Sequence, residues 1–178
     1  YPRTYHLPFS PGSTSDDKIM SEDTFKSLIE NEIVLSIKMD GECSTINSTK
    51  CFARSIDSKS HWSRDWLKQF HSERKYLLPE GWRVCGENLF ATHSIEYTNL
   101  KSYFLGFSIW NDNNECLSWT ETLEWFQLLN IVPVETIYSG IITEQHLKNL
   151  CNKVINLNME GVVIRKSGQF NYSEFSSS

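Results

Sequence analysis

The chain has 178 residues, of which 39% are hydrophobic and 22% are charged, as is typical of a globular domain. No apolar run is long enough to cross a membrane, so we expect a cytoplasmic protein without a membrane partner. The cysteines are odd in number and form no CxxC pair, so we expect neither a disulfide framework nor a zinc site. The net charge of −5 does not favour a nucleic-acid binder, although an acidic chain can carry a local basic groove.

The first half of the chain combines an irregular start with strands and helices. Prolines, glycine and polar residues predict an irregular segment over 1–20, after which Ser21 is a candidate N-cap for a helix at 22–30. Alternating apolar residues predict a strand at 33–38. The elements that follow are predicted as antiparallel strands at 44–47 and 50–54 and a helix at 63–76.

The second half is also a mixture of strands and helices. Strands are predicted at 82–90, 102–110, 115–117 and 134–138, with a last buried strand at 161–165. Helices are predicted at 120–129, with Leu123, Phe126 and Leu129 inward, and at 143–155. The polar tail at 171–178 carries no predicted closing element. This mixture predicts one α+β domain over 1–178, with antiparallel sheets flanked by helices.

The first chemical signal is the run Lys38-Met39-Asp40-Gly41-Glu42, which follows directly on a predicted strand. A lysine amine becomes a nucleophile when desolvation or nearby cations lower its pKa. The Asp-Gly pair equally fits an ordinary solvent-exposed hairpin turn. The run alone therefore leaves both interpretations open.

Two glutamates change that balance. Glu87 lies within the predicted strand at 82–90, and Glu160 comes just before the last predicted strand. Each alone is compatible with an ordinary strand-edge residue. Together with Lys38 they predict a site for a metal and a phosphate, because two carboxylates can hold Mg²⁺ against a triphosphate.

Four motifs in one order extend the signal across the chain. They are Lys38-Met39-Asp40-Gly41-Glu42, Gly86-Glu87-Asn88-Leu89, Leu105-Gly106-Phe107-Ser108-Ile109 and Glu160-Gly161-Val162-Val163-Ile164. This set resembles motifs I, III, IIIa and IV of the covalent nucleotidyltransferase superfamily, which contains polynucleotide ligases and mRNA capping enzymes. The resemblance implies an ATP-grasp-like nucleotidyltransferase, or adenylation, domain.

Within that superfamily the sequence is most similar to ATP-dependent RNA ligases of the bacterial and phage type. The opening residues 1–12 resemble the start of such ligases, and Arg54 is similar to the ligase arginine that contacts the nucleotide. Capping enzymes usually carry arginine where this chain has Cys43, which disfavours a guanylyltransferase.

The resemblance implies a role for each matching residue. Lys38 attacks ATP to form lysyl-AMP, and Asp40 helps to orient it. The other implied nucleotide contacts are Ile37, Arg54, Glu87, Phe107 and Arg165, with Glu160 and Glu87 as ligands of Mg²⁺ or Mn²⁺. Phe107 would stack on adenine, although its apolar neighbours Leu105 and Ile109 equally fit core packing.

The implied reaction transfers AMP to an RNA 5′-phosphate, and a 3′-hydroxyl then displaces AMP to join the ends. A DNA ligase core and a non-catalytic binding module of the same fold remain alternatives. The Lys-x-Lys pair of motif V is missing after Ile164. We therefore expect truncation before motif V, an additional domain after Ser178, and weak or no self-adenylylation by these 178 residues alone.

Overall fold

The computed structural model describes residues 1–11, 14–54 and 62–178. Gly12 and Ser13, in the predicted irregular segment, and residues 55–61, before the predicted helix at 63–76, lie outside the described part. The helices are α1 (Glu22–Ile29), α2 (Ser63–Ser72), α3 (Trp119–Leu128) and α4 (Glu144–Asn156), with 3-10 helices at Lys75–Leu77 and Tyr172–Ser177. The strands are β1 (Ile33–Lys38), β2 (Glu42–Asn47), β3 (Cys51–Ala53), β4 (Arg83–Asn88), β5 (Phe104–Trp110), β6 (Glu115–Cys116), β7 (Val132–Pro133), β8 (Thr136–Gly140), β9 (Gly161–Lys166) and β10 (Phe170–Asn171).

The strands form a large and a small sheet. The large sheet has the order β10-β6-β5-β4-β2-β3, with β7 pairing in parallel beside β5. The small sheet has the order β8-β1-β9, and its strand pairs are antiparallel. The α+β class with antiparallel sheets is therefore confirmed. No helix among the described residues is long and apolar enough to span a bilayer.

Strand β1 is buried on both faces because it lies between two apolar clusters. Ile33 and Leu35 pack with residues of α1 and α4, which cover the small sheet. Val34 packs instead with Leu105 and Trp119, in a cluster that joins the two sheets. Since side chains alternate along a strand, Ser36 and Lys38 follow Val34 onto the face between the sheets. This alternation turns the end of β1 toward the large sheet.

Helix α3 differs from its prediction at one position of the face that it buries. It begins at Trp119 after a capping box formed by Ser118 and Glu121. Phe126 and Leu129 are buried as predicted, but Leu123 is exposed. Thr122 is fully buried in its place, because it lies one turn before Phe126 on the face that packs against β5.

The predicted strand at 134–138 overlaps only β8 (Thr136–Gly140), and a separate strand, β7 (Val132–Pro133), lies just before it. The chain pairs with β5 through β7, crosses between the sheets at Val134 and Glu135, and then pairs with β1 through β8. Two backbone hydrogen bonds stabilise the crossing. The amide of Val134 donates to the carbonyl of Gly106 (2.9 Å), and the amide of Ile37 donates to the carbonyl of Glu135 (2.9 Å).

The end of the chain corrects two predictions. Strand β9, predicted to be buried, is only half-buried along its length because it lies at an edge of the small sheet. The tail, predicted to lack a closing element, pairs with β6 through β10 and continues into the 3-10 helix at Tyr172–Ser177. That helix begins with a capping box formed by Asn171 and Glu174, and Phe175 packs edge-on against Tyr1 (5.0 Å between ring centroids), an apolar contact that anchors a mainly polar segment.

Candidate active site

A cavity of about 640 Å³ lies between the two sheets, and we refer to it as the cleft. Its walls come from β1, β2, β4, β5 and β9, together with the N-terminal residues. All of the site residues predicted from the sequence line this cleft: Ile37, Lys38, Asp40, Arg54, Glu87, Phe107, Glu160 and Arg165. The roles of these residues remain predictions, but the structure brings them together from distant parts of the chain.

Lys38 reaches the cleft from the last position of β1. Its backbone pairs with Gly161 at the start of β9, so Glu160 is its neighbour across the small sheet. The Nζ atom of Lys38 contacts Oε1 of Glu160 in a partly exposed ion pair. Burial lowers the pKa of Lys38, while the negative charges of Glu87 and Asp40 act to raise it. Net desolvation favours the neutral amine, which is the nucleophilic form.

Glu87 approaches from the opposite sheet. It lies on β4 opposite Cys43, and its Oε1 accepts a hydrogen bond from the amide of Gly41 (3.2 Å). Burial raises the pKa of Glu87 to about 7, although the Gly41 amide and the charge of Lys38 both act to lower it. Glu87 is therefore expected to change between its protonated and ionised forms near neutral pH.

Gly41 allows the turn after Lys38 to lie directly against β4. A Cβ atom at this position would be 2.6 Å from the carbonyl oxygen of Asn88 and 2.7 Å from Cδ2 of Leu89. Both distances are shorter than van der Waals contact, so only glycine fits without displacement of β4. The close approach is what brings the amide of Gly41 to Glu87.

Asp40 forms hydrogen bonds with a loop instead of with the lysine. Its Oδ2 accepts from the amides of Ser94 (2.7 Å) and Ile95 (2.9 Å), and its own amide donates to Oη of Tyr97 (2.9 Å). Asp40 thus attaches the loop at 91–97 to the turn that follows Lys38. Sequence reasoning missed these partners, and no motif in the loop could have signalled them.

A second contact attaches helix α2 to the same turn. Nε of Arg64 donates to Oε1 of Glu42 (3.2 Å), and Nη2 donates to Oε2 (3.3 Å). The two parallel bonds form the bidentate geometry that arginine makes with carboxylates. The spacing of Glu42 and Arg64 in the sequence does not predict this pair.

Arg54 and Phe107 contribute a charge and an aromatic ring to the cleft. The amide of Arg54 donates to the carbonyl of Cys43 (2.9 Å), which leaves the exposed side chain beside the cleft. Phe107 is half-buried, and the ring of Tyr1 lies edge-on against it (4.9 Å). Phe107 also packs with the cluster that contains Leu105, as expected for core packing, and its stacking on adenine remains a prediction.

Arg165 is held in place largely by the protein itself. Its Nη2 donates to the carbonyl of Leu117 (2.7 Å), and its Nε donates to that of Lys166 (3.0 Å). The guanidinium also lies over the rings of Trp119 and Phe170. Within the described ranges, Nη1 is buried and has no hydrogen-bond partner, and the predicted contact of Arg165 with a nucleotide remains a prediction.

The motif order and the shared cleft agree with a comparison to known protein families. The family model described as RNA ligase matches residues 31–177. The chain belongs to the RNA ligase family. A search of the curated proteins gives no match.

Solved ligase structures share the fold of this RNA ligase family member. An archaeal ATP-dependent RNA ligase aligns with a TM-score of 0.67 and 14% identity, covering 94% of this chain and 45% of that one. A Naegleria gruberi RNA ligase with PPi aligns with a TM-score of 0.58 and 15% identity, covering 92% and 56%. A putative ATP-dependent DNA ligase from Aquifex aeolicus aligns with a TM-score of 0.56 and 17% identity, covering 82% and 43%. The chain spans about half the length of these structures.

This RNA ligase family member has two predicted metal ligands, Glu160 and Glu87, in its cleft. Among the described residues, no group of three or more His, Cys, Asp or Glu could hold an ion alone. Mg²⁺ is usually bound by one or two carboxylates, with phosphate oxygens and water completing the octahedron. Glu160 and Glu87 line one cleft and carry carboxylate oxygens of this type, and their role as metal ligands remains a prediction.

Proposed function

We propose that this chain is the adenylyl-transferring core of an ATP-dependent RNA ligase, with Lys38 as the residue that carries AMP. The observation that carries the proposal is the position of the Lys38 amine, which contacts Glu160 in the same cleft as Glu87. Membership of the RNA ligase family supports it. The proposed use of ATP and a divalent metal is supported by the structurally similar Naegleria gruberi RNA ligase, whose structures include complexes with ATP and Mn and with AMP and Mn.

The first step joins the lysine to the nucleotide. Lys38 loses a proton, its Nζ forms a bond to the α-phosphorus of ATP, and pyrophosphate leaves with the electrons of the broken P–O bond. The burial that lowers the pKa of Lys38 increases the fraction of neutral amine available for this attack. AMP then passes to an RNA 5′-phosphate, and a 3′-hydroxyl displaces AMP to seal the strand.

The other residues of the cleft would bind and orient ATP. Arg54 would contact the ribose or a phosphate, Glu87 the ribose, and Phe107 the adenine, while Ile37 and Nη1 of Arg165 would complete the wall around the nucleotide. Glu160, with Glu87, would hold the divalent metal. When bound, Mg²⁺ or Mn²⁺ would neutralise charge on the phosphates and on the leaving pyrophosphate.

RNA specificity is tested by comparing RNA and DNA substrates. The likeness to the putative DNA ligase from Aquifex aeolicus makes DNA sealing the second candidate function. We expect the full-length polypeptide that contains these residues to seal RNA ends in the presence of ATP and Mg²⁺. It should seal matched DNA ends more slowly, because an RNA ligase senses the 2′-hydroxyl.

The control for this comparison is Lys38→Ala, which should seal neither substrate. Preferential sealing of DNA would transfer the assignment to the second candidate. Absence of sealing and of any AMP adduct in a folded wild-type protein would leave a non-catalytic module.

A further inference from the structure

Four aromatic side chains form a continuous group at the surface, which we call the aromatic platform: Trp62, Trp66, Phe90 and Tyr103. The rings of Trp66 and Phe90 stack in parallel, with centroids 5.6 Å apart and an interplanar angle of 11°. Trp62 lies edge-on against Phe90 (5.2 Å), and Tyr103 lies edge-on against the same ring (5.0 Å). These contacts hold the rings at defined angles to one another.

The platform is anchored in the core at one end and exposed at the other. Trp66 stacks on Phe70 (5.2 Å), and Phe70 packs on the fully buried Phe104 (5.0 Å). The outer rings, in contrast, are 59% exposed for Trp62 and 45% exposed for Tyr103. Large aromatic surface that remains accessible above a rigid support is typical of a binding site.

The platform lies next to the cleft, because it adjoins both segments that are attached to the turn after Lys38: the loop at 91–97 and helix α2. Phe90 leads into the loop at 91–97, which hydrogen-bonds to Asp40 and contributes His93 to the cleft wall. Trp62 lies two residues before Arg64, which pairs with Glu42 at the cleft. A strand whose end lies in the cleft can therefore continue across the platform without leaving the protein surface.

We propose that the aromatic platform stacks unpaired bases of the RNA strand whose end is joined in the cleft. This inference rests on the proposed function and assigns the surface that holds its substrate. Aromatic side chains bind single-stranded RNA by stacking on bases, with little sequence preference, because every base has a π-face. Stacking also suits a chain with a net charge of −5, for which overall attraction to phosphates is unfavourable.

The test compares RNA with and without bases. A short 5′-phosphorylated single-stranded RNA and an abasic ribose-phosphate strand of the same length are titrated against the full-length polypeptide. We expect the base-containing strand to bind at least about fivefold more tightly, the smallest effect typical of one stacked base. Trp62→Leu should remove most of this difference, whereas Trp62→Phe, which keeps an aromatic ring, should retain it.

Matched controls separate this inference from effects on folding and from the proposed function. Tyr76→Ala changes an exposed aromatic residue outside the platform and should leave the difference unchanged. Tyr103→Leu is a second variant of the platform and tests the proposal even if Trp62→Leu does not fold. Both platform variants should form wild-type amounts of lysyl-AMP, since neither residue lines the cleft.

Equal binding of the two strands by the wild-type protein would overturn the proposal. An unchanged preference for bases in folded Trp62→Leu and Tyr103→Leu would also overturn it. A wild-type protein that prefers bases but forms no AMP adduct would contradict the proposed function alone.

Discussion

At the scale of single residues, the cleft places an amine and two carboxyls where their proton affinities depend on one another. Desolvation lowers the pKa of Lys38 and raises that of Glu87, so burial disfavours the charged form of each. Each charge opposes the effect of burial on the other group. Replacing either Glu87 or Lys38 should therefore shift the pKa of the other residue.

Glu87 should make the stability of the fold depend on pH in a defined window. Since its pKa is raised from 4.5 to about 7, the unfolded chain ionises first as the pH rises, and the stability associated with protonated Glu87 is lost between these values. Glu87→Gln removes this ionisation. Relative to wild type, the variant should gain on the order of 3 kcal/mol in free energy of unfolding between the two ends of the window.

Urea unfolding of both proteins below pH 4.5 and above pH 7 measures this difference. A constant difference across the window would show that Glu87 is not held in a desolvated environment. Acidic groups that do not interact with Glu87 are common to both proteins and cancel in the comparison.

Gly41→Ala tests the close approach of the turn to β4. The added methyl group would collide with the carbonyl oxygen of Asn88 and with Leu89, so we expect a loss of about 1–3 kcal/mol in unfolding free energy. Gly168→Ala is the matched control, because a Cβ atom there has open space, and it should change stability by less than about 0.5 kcal/mol. Equal effects in chemical denaturation would contradict the packing described here.

At the scale of elements, the turn after β1 is the point where three parts of the structure meet. The loop that follows β4 is attached through Asp40, and α2 is attached through Glu42. Strand β9 brings Glu160 from the other side. The position of Lys38 therefore depends on segments that are far apart in sequence.

Asp40→Ala should release the loop at 91–97. It leaves the amides of Ser94 and Ile95 without their acceptor, so their hydrogen exchange should accelerate while exchange in the core of β4 is retained. We expect a stability cost of about 1–3 kcal/mol, the usual effect of removing one partner of a hydrogen-bonded group.

Glu124→Ala, which removes an exposed carboxylate on α3, is the control and should not alter exchange in the loop. Unchanged protection of the two amides in Asp40→Ala would show that other contacts hold the loop. In that case Asp40 would be available for the role at the lysine that the sequence resemblance implies.

At the scale of the whole molecule, the sequence predicted the elements whose signals are local. Alternation identified β1, and the N-cap residue Ser21 identified the start of α1, because those signals lie within a few residues of the element. The end of the chain was missed because its order depends on distant partners: Phe175 packs on Tyr1, and β10 pairs with β6.

The candidate site divides in the same way. The motif order predicted that Lys38, Glu87 and Glu160 share a cleft, since each motif is a short local pattern. The hydrogen bonds of Asp40 and the pair between Glu42 and Arg64 were not predictable, because they are set by the path of a loop and by the position of a helix. One position on the interior face of α3 was also missed, because packing against β5 buries Thr122 instead of Leu123.

The most direct test of the central claim is the mass of the full-length polypeptide after incubation with ATP and Mg²⁺. We predict one AMP per chain on the peptide that contains Lys38, and no adduct in Lys38→Ala. A folded wild-type protein that acquires no AMP, or an adduct that persists in Lys38→Ala, would contradict the account.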